Sequence, residues 1–218
     1  MKFENTDVWG FEHAIRGMRN PLESWGKSDT KKRCGVDVGE KDLELMQKLI
    51  KAGSEHRKFM RQIMVSVDIT APLYFFKELD TYKIGTTANS TSTMHKLAST
   101  PITTECFEMG DFAEEIVDVR SVTDIKKSST ISQIWERLID DLETLRCFHN
   151  ATKDKRYWKE LIRLLPTSWL QTRTITMNYE NLLSMVHQRK SHKLTEWSID
   201  FIKWVESLPY AKELLIIE

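Results

Sequence analysis

The sequence has little cysteine and no excess of charge of either sign. Its 218 residues include three cysteines, Cys34, Cys106 and Cys147, which are too few and too scattered for a disulfide framework and favour reduced thiols in a cytosol. Lys plus Arg and Asp plus Glu are equal at 32 each, so no overall field attracts the protein to nucleic acid or to a membrane surface. An anionic ligand must therefore be held by locally placed groups.

Long hydrophobic runs and several common catalytic motifs are missing as well. No apolar stretch approaches the roughly 20 residues of a membrane-spanning helix, and the first residues lack the apolar core of a signal peptide. We therefore expect a cytoplasmic protein with neither a membrane nor a nucleic-acid partner. The sequence has no Cys/His spacing typical of metal sites, no glycine-rich phosphate loop and no nucleophile elbow, so it predicts no metal centre.

The residues that are present are sufficient for one ordered core. Hydrophobic residues make up 40% of the chain, with seven Trp and nine Phe, which is the composition of a globular protein. The length predicts a single domain over residues 1–218. Within it, residues 22–38 are predicted to be a loop with solvated charges. Pro101, Gly110 and an acidic stretch predict a poorly patterned surface excursion at about 98–128.

Hydrophobic periodicity predicts both strands and helices. Alternation of apolar and polar residues predicts strands at 63–69 and 169–177, and a short strand is expected at 1–9. Helical spacing predicts a short helix ended by Asn20-Pro21 and further helices that begin near Lys41, Leu73, Ser128 or Ser129, Asp154, Asn178 and Thr195. Their apolar stripes are typical of a core or a subunit interface and not of a cofactor site.

A run rich in Ser, Thr and Asn follows the predicted strand, the Ala71-Pro72 break and the next helix. From Thr86 to Thr93 nearly every side chain is a short hydroxyl or amide, beside Gly85. Such a loop can present backbone N–H and hydroxyl donors to a phosphate. It can equally be a solvated linker, and composition leaves both possibilities open.

The segment from Ala71 to Leu97 resembles, without a gap, the core of the flavin-dependent thymidylate synthases, the ThyX family. In that family a strand ends in Ala-Pro and leads through a helix to Arg-His-Arg-x-x-Ser-x-Asn-x-x-Ser-x-Arg. The corresponding residues here are Thr81, Tyr82, Lys83, Thr86, Ala88, Thr91 and Thr93. If the alignment is shifted by one residue, Thr87, Asn89 and Ser92 fall on the family's Ser, Asn and Ser positions. This alignment still supplies no arginine. The arginine signature is therefore eroded.

Further matches occur in the family's order on both sides of this segment. AIRGMRNP resembles the family's opening helix. In the C-terminal half the matching residues are Leu165-Pro166, Thr172-Arg173, Asn178, Leu182, Arg189 and His192-x-x-x-Glu196, with one residue missing between Arg189 and His192. Arg163 lies one place from the arginine that precedes the family's Leu-Pro. The resemblance covers about residues 10–21, 41–97 and 155–205.

The resemblance implies a ThyX-like α/β fold of the α+β type, with a central antiparallel or mixed sheet flanked by helices. It implies a homotetramer that binds FAD where subunits meet. It also implies an enzyme that methylates dUMP reductively to dTMP with methylenetetrahydrofolate and NADPH. This reaction needs no nucleophilic cysteine. Our first hypothesis is a divergent enzyme of this type, a flavin-dependent methyltransferase. The second is a nucleotide- or flavin-binding homologue that modifies another pyrimidine, or none. The third is a helix-rich oligomeric interaction protein.

The resemblance also assigns candidate site residues by position. Arg189 matches the arginine that promotes ionisation of the uracil, a role that suits a permanently charged fork of donors; alternatively, it is an exposed helix-end residue that caps carbonyls. The substrate-binding candidates are Glu78, Asn89, Ser90, Thr91, Ser92, Thr93 and Arg163. The cofactor-binding candidates are His56, Lys58, Thr81, Tyr82, Lys83 and Asn178. A lone surface histidine is the alternative for His56, and a helix N-cap is the alternative for Asn178.

Departures from the family pattern bear on ligand affinity. Thr81 and Thr93 replace arginines that contact phosphates, and each lost charge-assisted hydrogen bond costs roughly 1.5–3 kcal/mol. Two such losses weaken binding by about two to four orders of magnitude, unless nearby cations compensate: Lys77, His95, Lys96 or Arg61. Glu78 replaces a Gln that contacts the nucleotide. This places a negative charge near a phosphate and indicates an altered ligand preference.

Overall fold

The computed structural model describes residues 1–33, 35–110 and 130–217. Their internal contacts form two compact units. Unit 1 comprises Met1–Ile69, Glu78–Asn89 and Arg173–Glu218, and unit 2 comprises Thr70–Lys77 and Ser90–Thr172. The single domain expected over residues 1–218 stays a prediction.

Strands and helices follow one another largely as the periodicity predicts. The N-terminal half contains β1 (Lys2–Trp9), α1 (Phe11–Arg19), β2 (Lys31–Arg33), β3 (Gly35–Asp37), α2 (Glu40–Lys51), β4 (Met64–Pro72), α3 (Leu73–Leu79), β5 (Thr87–Ser90) and α4 (Thr93–Lys96). The C-terminal half contains α5 (Ile131–Thr152), α6 (Lys155–Leu164), β6 (Leu170–Asn178), α7 (Tyr179–Arg189), α8 (Ile202–Glu206) and α9 (Ala211–Leu214). The predicted strands at 1–9, 63–69 and 169–177 are confirmed as β1, β4 and β6.

The main sheet has four strands in the order β1-β4-β6-β5. Hydrogen bonds of 3.2, 2.5 and 2.8 Å join three facing side-chain pairs of β4 and β6, namely Ser66 with Thr176, Asp68 with Thr174 and Thr70 with Thr172. Residue numbers rise along β4 as they fall along β6, so the two strands are antiparallel. The threonine-rich face of β6 therefore forms a polar ladder with β4, while the alternate residues of β4 are fully buried.

The core of unit 1 combines these buried strand residues with apolar helix faces. The ring of Phe11 contacts Tyr179 and Tyr210 edge to face, with centroids 5.5 and 5.6 Å apart. The Tyr179 hydroxyl donates to the carbonyl of Pro209 at 2.7 Å. Burial raises the pKa of Tyr179, so this donor stays protonated at neutral pH.

An ion pair between α1 and α2 is buried in unit 1. Nε and Nη2 of Arg19 each lie 2.6 Å from Oδ1 of Asp42, and the hydroxyls of Ser28 and Thr30 donate to Oδ2 at 2.5 and 2.6 Å. Burial raises the pKa of the Asp42 carboxyl. The hydrogen bonds from Ser28, Thr30 and Arg19 outweigh burial, so the pKa lies below its usual value.

Two predictions for residues 22–38 are wrong. They do not form one loop, because Trp25–Lys27 is a 3₁₀ turn and β2 pairs antiparallel with β3 in a hairpin. Backbone hydrogen bonding decides this structure, and polar composition does not reveal it. The charges are not all solvated either: the Asp29 side chain accepts from the N–H groups of Lys41 and Asp42 at 3.0 and 3.2 Å, at the start of α2.

A second apolar cluster forms the core of unit 2, with Leu97, Ile102, Phe107, Ile139, Leu142 and Leu161 buried. The prediction of a surface excursion at about 98–128 is therefore wrong for its first part. Ile102 and Phe107 are only 3% and 5% exposed, and Phe107 pairs with Trp169 in an isolated antiparallel bridge. An isolated apolar residue between polar neighbours gives no period to recognise. Residues 111–128 lie outside the described residues.

Helix ends differ from prediction at two places. Ser128 and Ser129, the predicted caps of α5, lie outside the described residues, and Thr130 caps this helix through a capping box with Gln133. The helix predicted from Thr195 begins as a π-helical turn, Glu196–Phe201, before α8, and Ile202 at the start of α8 is half-buried. Among the described residues, no helix has both the length and the apolar composition to cross a bilayer.

Candidate functional site

The polar run after α3 is not a free loop, and that prediction is wrong. Thr87–Ser90 form β5, an exposed strand beside β6. In unit 2 the N–H of Thr91 donates to the carbonyl of Thr172 at 2.9 Å, and the Gln171 amide donates to the carbonyl of Thr91 at 2.9 Å. Threonine favours extended backbone because it is β-branched. The hydroxyls on β5 stay exposed.

The predicted substrate-binding residues are divided between the two units. Glu78 and Asn89 belong to unit 1, whereas Ser90, Thr91, Ser92, Thr93 and Arg163 belong to unit 2. In unit 2, Ser92 caps α4 by accepting from the N–H of His95 at 3.2 Å. Arg163 is exposed on α6 and pairs with Glu160 at 2.5 Å.

Arg189, the predicted catalytic residue, ends α7 in a polar and aromatic cluster of unit 1. Its side chain is 12% exposed, and its Nε donates to the hydroxyl of Tyr82 at 2.8 Å. The guanidinium carbon lies 5.3 Å from the ring centroid of Tyr82 and 5.0 Å from that of Trp197. Such cation–π contacts restrain the position of the guanidinium. The alternative, an exposed arginine that caps carbonyls, is wrong.

Glu78 completes this Arg189 cluster, which we define as Glu78, Tyr82, Arg189 and Trp197. Nη1 of Arg189 lies 2.9 Å from Oε2 of Glu78, whose side chain is 42% exposed. The cluster therefore places a carboxylate acceptor beside guanidinium donors. Three of the predicted site residues, Glu78, Tyr82 and Arg189, are thus in contact within one unit.

Trp197 belongs to this cluster although its apolar spacing predicted only a packing role. It lies in the π-helical turn Glu196–Phe201 and is fully buried. Gln188 is a further residue that the sequence did not single out; its side-chain oxygen accepts from the Tyr82 hydroxyl at 2.9 Å. A helical period marks Trp197 as apolar but cannot show which cation covers its ring, so the sequence held no signal for this contact.

The turn between α3 and β5 holds the other cofactor-binding candidates of this region. The hydroxyl of Thr81 donates to the carbonyl of Glu78 at 2.7 Å, and that of Thr86 donates to the carbonyl of Tyr82 at 2.5 Å. Lys83 is exposed and lines a cleft of about 300 Å³ together with Asp80, Thr86 and Ala88. Lys83 supplies a cation to this cleft.

Asn178 joins the same turn to α7. Its side-chain oxygen accepts from the N–H of Asn181 at 3.0 Å, and the Asn181 amide donates to the carbonyl of Ile84 at 2.8 Å. Gly85 adopts a φ of 78°, and a Cβ there would lie 3.0 Å from the Asn178 amide nitrogen. The N-cap role left open for Asn178 is confirmed. Its contact with a flavin stays a prediction.

His56 and Lys58 lie elsewhere in unit 1, in and before the 3₁₀ turn Arg57–Gln62. Both are exposed, and Lys58 is 3.6 Å from Glu55. They line an open cleft of about 790 Å³ with residues at the end of α1 and on α2. This cleft offers a cation, an imidazole and apolar walls. Within the described residues, no group of His, Cys, Asp or Glu side chains is arranged to hold a metal ion.

Comparisons with known proteins agree with this architecture. No protein-family model matches the chain, and no curated protein matches it. The flavin-dependent thymidylate synthase ThyX from Helicobacter pylori, solved in complex with FAD and dUMP, matches at 17% identity over 98% of both chains with a TM-score of 0.68. Another structure of Helicobacter pylori ThyX with FAD and dUMP matches at 18% identity over 99% of this chain and 97% of that one, with a TM-score of 0.67. The ThyX-like fold predicted from the sequence is therefore confirmed.

Proposed function

We propose that the chain is a divergent member of the ThyX family that binds FAD and a pyrimidine nucleotide and methylates the base reductively. The observation that carries this proposal is the Arg189 cluster. Three residues that the resemblance assigns independently to the ligand site, Glu78, Tyr82 and Arg189, are in contact within a ThyX fold. The similar Helicobacter pylori structures contain FAD and dUMP, which supports these ligand classes.

The reaction that the resemblance implies is the conversion of dUMP to dTMP. Methylenetetrahydrofolate supplies the carbon, NADPH supplies the reducing equivalents, and FAD when bound supplies the hydride. Arg189 is the residue that stabilises negative charge on the base, because its guanidinium is permanently charged and largely withdrawn from water. Tyr82 restrains the orientation of the guanidinium by accepting a hydrogen bond from Nε.

The donor groups of unit 1 fit an anionic dinucleotide such as FAD. Lys83 supplies an ammonium to one cleft, and His56 and Lys58 supply an imidazole and an ammonium to the other. Phosphate oxygens are held by such donors in proteins. Lysine and threonine hold them less tightly than the arginines of the family signature, so we expect weaker FAD binding than that signature would give.

The remaining predicted contacts form part of the same proposal. Ser90, Thr91, Ser92, Thr93 and Arg163 offer hydroxyl, backbone and guanidinium donors to the nucleotide phosphate. Asn89 offers a side-chain amide, and Thr81 offers a hydroxyl oxygen. A homotetramer, as the resemblance implies, would bring such residues from neighbouring subunits to one ligand.

A second candidate function is favoured by the contact between Glu78 and Arg189. The carboxylate is 2.9 Å from the guanidinium that would stabilise an ionised uracil, and it offsets the positive charge of that group. This contact favours a homologue that keeps the fold and the ligand classes but acts on another pyrimidine, as the second hypothesis states.

One experiment separates these candidates. We would purify the protein, record its visible absorbance after addition and removal of excess FAD, and measure tritium release from C5-labelled dUMP and C5-labelled dCMP. Retained flavin with release from dUMP supports the first candidate. Retained flavin with release from another pyrimidine, or with nucleotide binding alone, supports the second. A colourless protein that binds no nucleotide contradicts both and supports an interaction protein.

A further inference from the structure

A cleft of about 220 Å³ in unit 1 has no part in the proposed function. It is lined by side chains of α1 and of the segment that leads to β2: Glu12, His13, Ile15, Arg16, Arg19, Trp25, Ser28 and Thr30. None of these belongs to the Arg189 cluster, and only Arg19 also lines the cleft of His56 and Lys58. We therefore ask which of its groups are available to a ligand.

Several polar groups of this cleft are already engaged within the protein. Arg19 is buried against Asp42, and the hydroxyls of Ser28 and Thr30 donate to the same carboxylate at 2.5 and 2.6 Å. Each hydroxyl has one proton, so neither can donate to a ligand while it binds Asp42. Glu12 also has an interaction partner. These residues shape the cleft and leave ligand recognition to the others.

Three side chains of the cleft stay available. His13 and Arg16 are exposed, and neither side chain forms a hydrogen bond or an ion pair with the residues that the structure describes. Because they are three positions apart on α1, they lie on the same side of the helix. Trp25 is 49% exposed, and its Nε1 donates to Oδ1 of Asn20 at 2.9 Å. The indole therefore has its ring surface, and not its N–H, to offer to a ligand.

These available groups match a flat ring that carries an oxyanion. A guanidinium donates hydrogen bonds and accepts none, so Arg16 requires an acceptor, and phosphate oxygens fit its fork. An exposed aromatic ring stacks on a nucleobase of any identity. A cationic ligand is disfavoured, because the carboxylate that lines the cleft, Glu12, already has a partner whereas Arg16 is a cation without one.

We propose that this cleft is a second ligand site of the chain and binds a nucleoside monophosphate. The base stacks on Trp25, and the phosphate accepts hydrogen bonds from Arg16 and His13. This site does not depend on the proposed function, because no residue of the Arg189 cluster takes part in it. A ligand bound only by the folded chain stabilises it, so occupancy raises the unfolding temperature.

The test is titration calorimetry of the full chain with inosine monophosphate (IMP), with FAD and dUMP present in excess to occupy the site of the proposed function. Inosine has the ring without the anion, and inorganic phosphate is the anion without the ring. The variants at the cleft are Arg16→Ala, Trp25→Ala and Trp25→Phe. Arg137→Ala is the matched control, because it removes an exposed arginine from another helix, α5. Thermal unfolding verifies that each variant is folded.

We expect IMP to bind more tightly than either inosine or phosphate, and to raise the unfolding temperature. Arg16→Ala should weaken IMP binding at least about tenfold, because a charge-assisted hydrogen bond is lost. Trp25→Ala should weaken it about tenfold through loss of stacking, and Trp25→Phe should recover part of that loss. Arg137→Ala should bind IMP like the unsubstituted protein.

Two sets of results would overturn the inference and leave the proposed function intact. The first is no IMP binding, or IMP binding that Arg16→Ala and Trp25→Ala do not change. The second is binding of inorganic phosphate as tight as that of IMP, which would reduce the cleft to an anion site without a base. IMP binding that is lost in Arg189→Ala but retained in Arg16→Ala would also overturn it, because the nucleotide would then occupy the Arg189 cluster.

Discussion

At the scale of single residues, substitutions of Arg189 distinguish the contribution of its charge to ligand binding and turnover from the contribution of its geometry. Its guanidinium donates to Tyr82, pairs with Glu78 and covers Trp197. Loss of the whole side chain removes all of these contacts. Replacement by lysine keeps a positive charge but loses the planar fork and the fixed orientation.

We expect Arg189→Ala to abolish turnover and to weaken nucleotide binding at least about tenfold, because charge-assisted hydrogen bonds contribute roughly 1.5–3 kcal/mol each. Arg189→Lys should recover part of the binding but little of the turnover. Steady-state kinetics and calorimetry measure these effects, with thermal unfolding as the control for folding. Turnover equal to that of the unsubstituted protein in Arg189→Ala would remove Arg189 from the site.

The sequence indicated Arg189, Glu78 and Tyr82 as site residues, but it did not indicate that they contact one another. The position of Arg189 within a resembling motif was sufficient to select it, whereas Glu78 and Trp197 reach it through the fold from elsewhere in the chain. Periodicity describes which face of a helix is apolar, and it carries no information about which side chains from other elements meet there. The contacts of Arg189 with Glu78 and Trp197 were therefore beyond prediction.

Asp42 provides a stability test that is independent of the ligand site. We expect Asp42→Asn to lower the free energy of unfolding by about 3–5 kcal/mol, because Arg19 would stay buried without a compensating charge. Chemical denaturation measures this change. Glu44→Gln, an exposed position on the same helix, should change stability by less than about 0.5 kcal/mol. Equal effects of the two substitutions would contradict a buried ion pair.

At the scale of elements, the start of α7 combines a structural role with a proposed cofactor contact. We expect Asn178→Ala to lower the free energy of unfolding by about 1 kcal/mol, because the cap to Asn181 is lost. Asn178→Ser should restore most of that stability, since a hydroxyl also caps helices. If the amide contacts FAD as we propose, FAD titration will show weaker binding in both variants. Unchanged FAD affinity in Asn178→Ser would assign Asn178 to capping alone.

Glu143 on the long helix α5 holds the backbone of Ile102 in place. Oε2 of Glu143 accepts from the N–H of Ile102 at 2.8 Å and from Nε of Arg146 at 2.7 Å. The hydrogen bonds from Arg146, together with that from Ile102, overcome partial burial and lower the pKa of Glu143 to about 2.

This pKa predicts how the contribution of Glu143 depends on pH. The pKa in the unfolded chain is about 4.3, so the unfolded state takes up the proton first as the pH falls. The stabilisation is complete above that value and is lost as the pH falls to about 2. We expect the stability difference between the unsubstituted protein and Glu143→Gln, measured by denaturation at several pH values, to shrink over this interval. A difference independent of pH would contradict the assignment.

Elements with a strong apolar period were predictable, and elements held by backbone pairing were not. The alternation in β4 and the stripe of α5 mark these elements directly. β5 and the hairpin of β2 and β3 have largely polar sequences, and their strands are paired through backbone hydrogen bonds. Composition assigned both segments to loops for that reason.

At the scale of the whole molecule, the fold is retained although most residues differ. Identity of 17% over 98% of both chains accompanies a TM-score of 0.68 with Helicobacter pylori ThyX. Buried positions require apolar residues of suitable volume, and many sequences satisfy that requirement. The order of the matching motifs was therefore enough to predict the fold. The sequence did not reveal that Ile102 and Phe107 join the core of unit 2.

The central claim is that one site holds FAD and a pyrimidine base together beside Arg189. The most direct measurement is the visible absorption spectrum of the FAD-loaded protein during titration with dCMP or dUMP. We expect a saturable shift of the flavin band with at least one nucleotide, and its loss in Arg189→Ala. A protein that takes up no flavin, or a flavin band that neither nucleotide changes, would contradict the claim.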